Sequence, residues 1–444
     1  MKTLDKGITI IGGGLAGCEA AWQAAKQGLK VRLLEMKPLR FSPAHQSPFL
    51  AELVCSNSLR SADPESAVGL LKEEMNLWGS LVMESARCHQ VPAGKSLSVD
   101  REGFARNITE QITRHRLIEV CNEDVHSIPE EYPLVLATGP LTTNELAEDL
   151  GRLLGTEHLH FYDAIAPIVY ADSINMEKAY RGSRYGHGGA DYINCPLDAE
   201  EYDRFLEELL RADEVPLHAF EDVRYFEGCL PIEVMAKRGK DTLRFGPMKP
   251  VGLPDPKTGF IPYAVIQLRQ DNQEGTLFNM VGFQTKLKWP EQERVFRLIP
   301  GLEEAVFARL GSIHRNTFVN GPEVLAPTLQ LKINPHIFLA GQITGVEGYV
   351  ESAAMGILAG INAARQFKEK SLLVPPETTA MGALTAHVSR RPLKEFQPMN
   401  INFGLFPPLL KKVSRRFRGK MYGERALRDL KTWMNEEGLL MVSK

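Results

Sequence analysis

Ile8-Thr9-Ile10-Ile11-Gly12-Gly13-Gly14-Leu15-Ala16-Gly17 is the stretch of sequence that decides the fold. Its apolar and β-branched start predicts a short buried strand, and the glycine-rich remainder predicts a tight turn into a helix over Cys18–Gln27. A second strand is predicted over Val31–Leu34, and it ends at the acidic residue Glu35. The order strand, glycine turn, helix, strand and carboxylate is typical of a dinucleotide-binding βαβ unit.

Each residue of this motif has a physical role in binding a dinucleotide. Gly12 permits the turn, Gly14 allows a pyrophosphate to approach the backbone, and Gly17 lets the helix pack close to the strand. The helix N-terminus offers N–H groups to the phosphates, so we expect the whole turn to bind, Gly13, Leu15 and Ala16 included. Glu35 would accept hydrogen bonds from a ribose and repel a 2′-phosphate, which favours FAD or NAD over NADP. The alternative is a plain βαβ turn without a ligand.

The composition is that of a soluble protein with several domains. The 444 residues are enough for two or three domains and a large core. We find no signal peptide before the first strand and no apolar run of the ~18 residues that a membrane helix needs, so we expect no membrane partner. The six cysteines are scattered and form no CxxC pair, which predicts neither a metal site nor disulfides and favours a reducing cytoplasm.

A second strand end of the same kind follows later in the chain. Leu134-Val135-Leu136-Ala137-Thr138-Gly139 is predicted to be a buried strand that ends in small residues. Thr138 and Gly139 would therefore let a ligand approach the backbone closely. This arrangement is similar to that of glutathione-reductase-like FAD-binding domains.

A third signal begins at Ile337-Phe338-Leu339-Ala340-Gly341 and continues through a glycine-rich run into a small-residue helix that ends at Ala364. We expect Gly341, Gly345 and Gly348 to hold the flavin ring. The helix N-terminus there would stabilise negative charge on the reduced ring.

Three separated pieces of one nucleotide-binding domain indicate that the residues between them are an insertion. We predict an α/β protein with a glutathione-reductase-like Rossmann FAD-binding domain, formed by residues 1–166 and 322–370. Residues 167–321 would form an inserted mixed α/β domain, and residues 371–444 a helical basic C-terminal segment. Local patterns predict one helix over Gly69–Ala86, a strand over Ser96–Arg101 and a helix over Phe104–His115.

The segment Leu53-Val54-Cys55-Ser56-Asn57-Ser58 places one thiol among residues that favour turns and caps. Together with the Gly12 motif, Ala44-His45, Phe245–Leu253 and Gly345–Tyr349, it resembles the bacterial folate- and FAD-dependent tRNA (uracil-54-C5)-methyltransferases. The likeness covers nearly the whole chain. That family is related to the larger GidA-type tRNA-uridine modification flavoproteins, but the shorter chain and the Cys55 run favour the methyltransferase.

The resemblance implies a reaction and its cofactors. Cys229 would add to C6 of the uracil, and Cys55 would be its partner, a candidate for the base that removes the C5 proton. FAD would carry the methylene of 5,10-methylenetetrahydrofolate to C5 and reduce it, and NADPH or NADH would reduce the flavin again. Since Glu35 faces the FAD ribose, it does not distinguish the two nicotinamide nucleotides.

Several residues have a structural and a functional interpretation. Cys18 and Cys121 are expected to be buried apolar residues, and Cys195 stays undecided. His45 and His314 are either structural or bind substrate, and their neighbours Arg40 and Arg315 could hold phosphate or the folate glutamate. Lys249 lies in a Gly-Pro-Met-Lys-Pro loop that is either only rigid or lines the folate site.

The C-terminal segment has 13 Lys and Arg residues against six Asp and Glu residues between Ser371 and Lys444. Helical spacing would place Lys412 with Arg416 on one face, next to the Lys411 and Arg415 pair, up to a break at Gly419. Such a block often binds nucleic acid, so Lys412 and Arg416 are candidate tRNA contacts, although a solvated face is equally in accord with the pattern. If the segment does not bind tRNA, Arg181, Arg184 and the insertion are the alternative surface.

Other functions stay open at the level of the sequence. The chain could be a flavin oxidoreductase that acts on a small molecule, a GidA-type enzyme that modifies wobble uridine in tRNA, or an NAD-binding scaffold without chemistry. A yellow purified protein would dismiss the scaffold, and methyl transfer to a tRNA transcript would separate the methyltransferase from the flavin oxidoreductase. The oligomeric state cannot be inferred.

Overall fold

The computed structural model describes residues 7–131, 133–155, 159–186, 189–216, 225, 230–390, 396–411 and 413–439. Cys229 and Lys412, two of the predicted site residues, lie outside these ranges.

The described strands, in chain order, are β1 (Gly7–Ile11), β2 (Lys30–Glu35), β3 (Ser58–Ser61), β4 (Gln90–Val91), β5 (Ser96–Val99), β6 (Ile118–Asn122), β7 (Leu134–Leu136), β8 (Leu159–Ala164), β9 (Ile168–Tyr170), β10 (Tyr180–Gly182), β11 (Tyr192–Leu197), β12 (Ala264–Gln270), β13 (Leu277–Met280), β14 (Phe307–Arg309), β15 (Ile313–Phe318) and β16 (Ile337–Leu339).

The described α-helices are α1 (Leu15–Lys26), α2 (Ala67–Leu77), α3 (Leu81–Cys88), α4 (Arg101–Arg114), α5 (Asn144–Leu154), α6 (Ala199–Arg211), α7 (Ile232–Ala236), α8 (Thr242–Phe245), α9 (Trp289–Phe296), α10 (Gly321–Val324), α11 (Tyr349–Phe367), α12 (Ala380–Ser389) and α13 (Arg415–Glu436). In the described part of the chain, no helix is both long and apolar enough to cross a bilayer.

A five-stranded sheet in the order β16-β7-β1-β2-β6 confirms the predicted α/β fold, and all its pairings are parallel. The three strands that carry the predicted nucleotide signals, β1, β7 and β16, are neighbours in it. Because the carboxyl ends of parallel strands meet at one edge, the residues after each strand come together there. This edge positions the candidate site.

A second, six-stranded sheet lies in the segment that the sequence predicts to be inserted. Its strands follow the order β10-β11-β12-β13-β9-β14 and pair antiparallel. A separate aromatic core packs on it, with Tyr202, Phe205, Phe278, Phe283 and Phe296 fully buried. The two-stranded sheet β8–β15 also forms in this part of the fold, and β3, β5 and β4 form a small sheet near the thiol-bearing segment.

The single helix predicted over Gly69–Ala86 is wrong, because the chain forms α2 and α3 with a break between them. Gly79 has φ +64, and the Ser80 side chain accepts a hydrogen bond from Met83 N to cap α3. Lys26 Nζ donates to Trp78 O at 3.0 Å, which satisfies a carbonyl at the end of α2. The apolar face of this segment is buried as its sequence pattern indicates, with Leu70, Leu71, Met75 and Leu81 all nearly inaccessible to solvent.

The strand predicted over Ser96–Arg101 ends two residues early. Asp100 is the N-cap of α4 and accepts a hydrogen bond from Gly103 N at 2.7 Å, so Arg101 is already helical. The predicted start at Phe104 missed this cap. In the same way α1 begins at Leu15, inside the glycine motif, rather than at Cys18.

The predicted helix break at Gly419 is also wrong. Helix α13 continues through Gly419 to Glu436, and a Cβ at Gly419 would lie 2.1 Å from Glu65 O. The glycine therefore allows the helix to contact a loop closely. Lys411 precedes the helix, so it does not share a helical face with Arg415.

The apolar residues of α12 and α13 pack into the same core as the nucleotide-binding sheet. Met381, Leu384, Ala426 and Leu430 are buried there. The buried Glu74 also accepts hydrogen bonds from Ala380 N and Met381 N at the start of α12, which ties α12 to α2. The domain boundaries at residues 166, 321 and 370 stay a prediction.

Candidate active site

A cavity opens at the carboxyl ends of β1, β7 and β16, and we name it the nucleotide cavity. Its walls combine the glycine turn, the end of β2 and the segments after β7 and β16. They include Gly12, Gly13, Gly14, Leu15, Ala16, Glu35, Thr138, Gly139, Gly341 and Gln342. The sequence-predicted residues of the three strand ends therefore meet in one place, apart from Gly17, Gly345 and Gly348.

The glycine turn has the geometry that a pyrophosphate needs. A Cβ at Gly14 would meet no described atom within 4 Å, so the backbone is open to a ligand there. A Cβ at Gly17 would lie 1.8 Å from Gly12 O, so only glycine lets α1 start this close to the strand. None of the described side chains caps α1, and its first turn has no acidic residue. Free N–H groups and the positive helix end therefore face the cavity, and the residues present fit a dinucleotide.

Glu35 is 6% exposed and organises the turn from the end of β2. Its Oε2 accepts a hydrogen bond from Gly13 N at 2.7 Å, and its Oε1 accepts one from Lys37 N at 3.0 Å. Since a carboxylate has about four lone-pair sites, it can still accept from a ribose hydroxyl.

Gly345 and Gly348 lie apart from this cavity. A Cβ at Gly345 would lie 2.3 Å from the Phe396 ring, so the glycine is needed here to let that ring pack against the backbone. Gly348 lines a second cavity, where a Cβ would lie 2.5 Å from Glu351 Oε2.

The second cavity adjoins the first, and we name it the thiol cavity because it contains Cys55. The two share five lining residues, namely Val54, Pro140, Leu141, Gln342 and Tyr349. The remaining wall comes from the second sheet and from β15, including Arg269, Val281, Gly282, His314 and Asn316. The fold thus makes one continuous cleft from a dinucleotide site to a thiol.

A hydrogen bond from its backbone fixes the position of Cys55. Its N–H donates to Tyr349 Oη at 2.7 Å, and its Sγ lies 3.7 Å from Ala164 O. The side chain is half-buried and faces the thiol cavity. Burial and the nearby Cys55 raise the pKa of the Tyr349 phenol, so that Tyr349 is neutral near pH 7.

Buried arginines fix the segment that carries Cys55. Arg269 Nε donates to Asn57 Oδ1 at 2.9 Å, and its Nη2 donates to Ser56 Oγ at 2.6 Å. Arg101 donates to Leu53 O and forms an ion pair with Asp271 at 2.9 Å. Burial alone would lower the pKa of Arg101, but the Asp271 carboxylate outweighs it and raises that pKa. The thiol therefore lies near two fixed positive charges.

The thiol cavity also contains a buried acid, Glu347, which is 6% exposed. Burial and the nearby Asp163 carboxylate raise the pKa of Glu347 well above its usual value. Gln342 Nε2 donates to Glu347 Oε2. Its surroundings therefore favour the protonated form of this carboxyl.

His45 and His314 line the two cavities, one in each. Burial and the Lys37 charge lower the pKa of His45 to about 4, and burial and Arg309 lower the pKa of His314 to about 4. One nitrogen of each ring has a serine partner, since Ser42 Oγ lies 2.6 Å from His45 Nδ1 and Ser312 Oγ lies 2.9 Å from His314 Nε2. Both rings are neutral at pH 7, so they cannot bind phosphate as cations.

The other predicted substrate residues that the structure describes line neither cavity. Arg315 follows His314 on β15, and because side chains alternate along a strand it points to the opposite, exposed side. Lys249 is exposed on its loop, and Arg416 is exposed on α13 beside Phe417. Arg40 is paired with Asp124 and Glu145 instead of facing the cleft.

The remaining described cysteines are separate from the thiol cavity. Cys18 and Cys195 are fully buried, and burial raises the pKa of the Cys195 thiol to about 12. Cys18 Sγ donates to Gly13 O at 3.3 Å, so it supports the glycine turn. Cys121 is half-buried and Cys88 is exposed.

Sequence reasoning missed Arg101, Arg269 and Glu347. The sequence predicted Arg101 only as the last residue of a strand, and Glu347 only as part of the segment Gly345–Tyr349. Arg269 gave no local signal, because its partners Ser56 and Asn57 are more than 200 residues away in the chain.

Comparison with known proteins identifies the family. Residues 7–371 match the family described as Glucose inhibited division protein A. Methylenetetrahydrofolate–tRNA-(uracil-5-)-methyltransferase TrmFO of Geobacter sulfurreducens is 60% identical over 96% of this chain and 98% of its own length. The chain belongs to the family of this methyltransferase, within the wider Glucose inhibited division protein A family.

A second member of the methyltransferase family is similar over almost its whole length. The enzyme of the same name from Desulfotalea psychrophila is 57% identical over 98% of both chains. Among solved structures, GidA from Aquifex aeolicus has a TM-score of 0.72 at 17% identity, covering 100% of this chain and 75% of the GidA chain. At that identity the likeness shows a shared fold, which confirms the predicted flavoprotein architecture.

Proposed function

We propose that this member of the methyltransferase family methylates C5 of uracil in tRNA, at position 54 of the T-loop. The methyl carbon comes from 5,10-methylenetetrahydrofolate, FAD carries it, and NADPH or NADH supplies the reducing equivalents. The observation that carries the proposal is the single cleft that joins a dinucleotide cavity to a cavity with one half-buried thiol.

The chain's own residues fit the cofactor. The Gly12–Gly17 turn and the α1 N-terminus would hold the FAD pyrophosphate, and Glu35 would accept from the ribose. Bound flavin would supply the carbon relay and the hydride. The walls shared by the two cavities, Val54 and Tyr349 among them, are where the ring would reach the thiol cavity.

The reaction needs separate groups that add to the base, remove a proton and donate a proton. Uracil C5 becomes nucleophilic only after a thiolate adds to C6, and the C5 proton must then be removed. We assign the addition to Cys229, which lies outside the described residues, and the proton removal to Cys55, whose segment Arg101 and Arg269 hold in place. Glu347, whose raised pKa favours its protonated form, is the candidate proton donor.

The GidA-type enzyme and the small-molecule oxidoreductase have less support as alternative functions. The relatives named as methyltransferases match at 57–60% identity over nearly their whole length, whereas the GidA structure matches at 17%. A small-molecule oxidoreductase would not need a thiol fixed by two arginines beside the flavin. The reducing cytoplasm, where tRNA is modified, is the proposed location.

The proposal is tested with purified protein and an unmodified tRNA transcript. We expect a yellow protein that forms 5-methyluracil only when methylenetetrahydrofolate and NAD(P)H are both present. A transcript in which the target uracil is replaced by cytosine is the control and should stay unmethylated. Folate-independent flavin turnover without any methylated base would contradict the proposal.

A further inference from the structure

The segment around Tyr185 has a backbone conformation that a tyrosine rarely adopts. Tyr185 has φ +58 and ψ +23, in the left-handed region, and its side chain is 63% exposed. For a bulky residue this conformation is energetically unfavourable and persists only where surrounding contacts enforce it. The fold therefore holds an aromatic ring on the surface at an energetic cost.

The contacts that enforce it come from the loop 245–252. Tyr185 N donates to Gly252 O at 2.8 Å, and the ring lies against Gly252, where a Cβ would be 2.7 Å from Cε1 of Tyr185. Arg184 donates to Val251 O and, at 2.9 Å, to Lys249 O. The loop and the tyrosine are thus one unit, which we name the rim patch: Arg181–Gly186 with residues 245–252.

The rim patch is connected to the wall of the thiol cavity at two points. Pro247 contacts Gly282, where a Cβ would lie 2.6 Å from Pro247 Cβ. Arg184 Nη2 lies 3.3 Å from Gln267 Oε1, and Gln267 O accepts a hydrogen bond from Val281 N. Since Val281 and Gly282 line the thiol cavity, the rim patch lies at its edge.

Charge and apolar exposure indicate what binds there. The two segments of the rim patch contain Arg181, Arg184 and Lys249 and no acidic residue. Besides Tyr185 they expose Phe245, at 79%, and Val251, at 44%. An exposed aromatic ring beside unopposed cations is the combination that binds unpaired nucleotides, by stacking and by attraction to phosphates.

We propose that Tyr185 stacks on an unpaired base next to the target uracil, with Arg184 and Lys249 beside its backbone. The proposal rests on the tRNA substrate of the proposed function. The rim patch would then be the RNA-binding surface at the entrance of the cleft. Tyr185 would stack on one particular nucleotide beside the target uracil.

The test replaces the ring without straining the backbone. Tyr185→Gly is suited to this because glycine adopts φ +58 freely, and Tyr185→Trp keeps a stacking surface. We expect Tyr185→Gly to weaken tRNA binding roughly 5- to 150-fold, as the loss of one base–aromatic stack does, and Tyr185→Trp to restore it. Trp289→Ala removes a comparably exposed aromatic ring from α9, at 64% exposure, and should bind tRNA normally.

Abasic transcripts then separate stacking from a general structural effect. With an abasic nucleotide at the stacked position, the wild type and Tyr185→Gly should bind equally, whereas the difference should persist with abasic sites elsewhere. Unchanged tRNA affinity in Tyr185→Gly, or a loss that is the same for every abasic transcript, would overturn the proposal. Failure of the proposed function would look different, since the wild type itself would then methylate no transcript.

Discussion

The two cavities of the cleft are built in different ways. The nucleotide cavity is built around the Gly12–Gly14 turn, a contiguous sequence motif, and its other walls come from the ends of β2, β7 and β16. The thiol cavity consists of side chains from widely separated segments, such as Cys55, Arg269 and Glu347. The first has the motif of a standard dinucleotide site, whereas the second is where we propose that the chemistry on uracil takes place.

The largest effect is expected from a side chain that blocks the access of a ligand to the backbone of the glycine turn. Gly14→Val places a branched side chain where no described atom lies within 4 Å and a pyrophosphate would bind. We predict a folded but colourless protein that has lost both NAD(P)H oxidation and methylation. Flavin absorbance after gel filtration measures this, and a stoichiometrically yellow Gly14→Val protein would show that the turn does not hold the cofactor.

Removing the thiol should affect only the other cavity. We predict that Cys55→Ala keeps its flavin and its NAD(P)H oxidation but methylates tRNA at least about 100-fold more slowly, the scale of a lost acid–base group. Cys88→Ala, an exposed cysteine, is the matched control and should be fully active. Equal methylation rates for the two variants would remove Cys55 from the mechanism. Cys229→Ala is expected to resemble Cys55→Ala.

The difference between the cavities also explains how much could be predicted from sequence. The Gly12 motif, the β7 and β16 ends and Glu35 were identified because strand, turn and charge lie close together in the chain. Arg269 could not be found, since its contact with Asn57 depends on how the second sheet packs on the first. The helix break before Ser80 and the continuous helix through Gly419 were missed for a similar reason: contacts with Lys26 and with the Glu65 loop outweigh local patterns.

A moderate effect on stability is expected from the buried acid of the thiol cavity. Because the pKa of Glu347 is raised in the folded protein, the unfolded chain releases this proton first as pH rises above the usual glutamate value of about 4.3. The wild type should thus lose stability with rising pH, and Glu347→Gln should lose less. We predict a smaller fall in Tm between pH 5 and pH 8 for Glu347→Gln, with the exposed Glu73→Gln behaving like the wild type.

The smallest effect is expected at the basic C-terminal segment. If Lys412 and Arg416 contact tRNA phosphates, Lys412→Glu with Arg416→Glu should raise the KM for tRNA and reduce the log–log salt slope by roughly one unit for each lost contact. The flavin spectrum should not change. If both KM and slope equal the wild-type values, the segment is a solvated surface, and the rim patch is the remaining candidate for binding tRNA.

The central claim is that the two cavities act as one site in which a folate carbon reaches uracil C5. The most direct measurement uses methylenetetrahydrofolate labelled with ¹³C at the methylene carbon, NADPH and an unmodified tRNA transcript, followed by mass spectrometry of the nucleosides. We predict that the 5-methyluridine formed contains one ¹³C in its methyl group, that Gly14→Val abolishes the labelled product and that Cys55→Ala forms it at least about 100-fold more slowly. Unlabelled 5-methyluridine, or labelled product formed by either variant at the wild-type rate, would contradict the account.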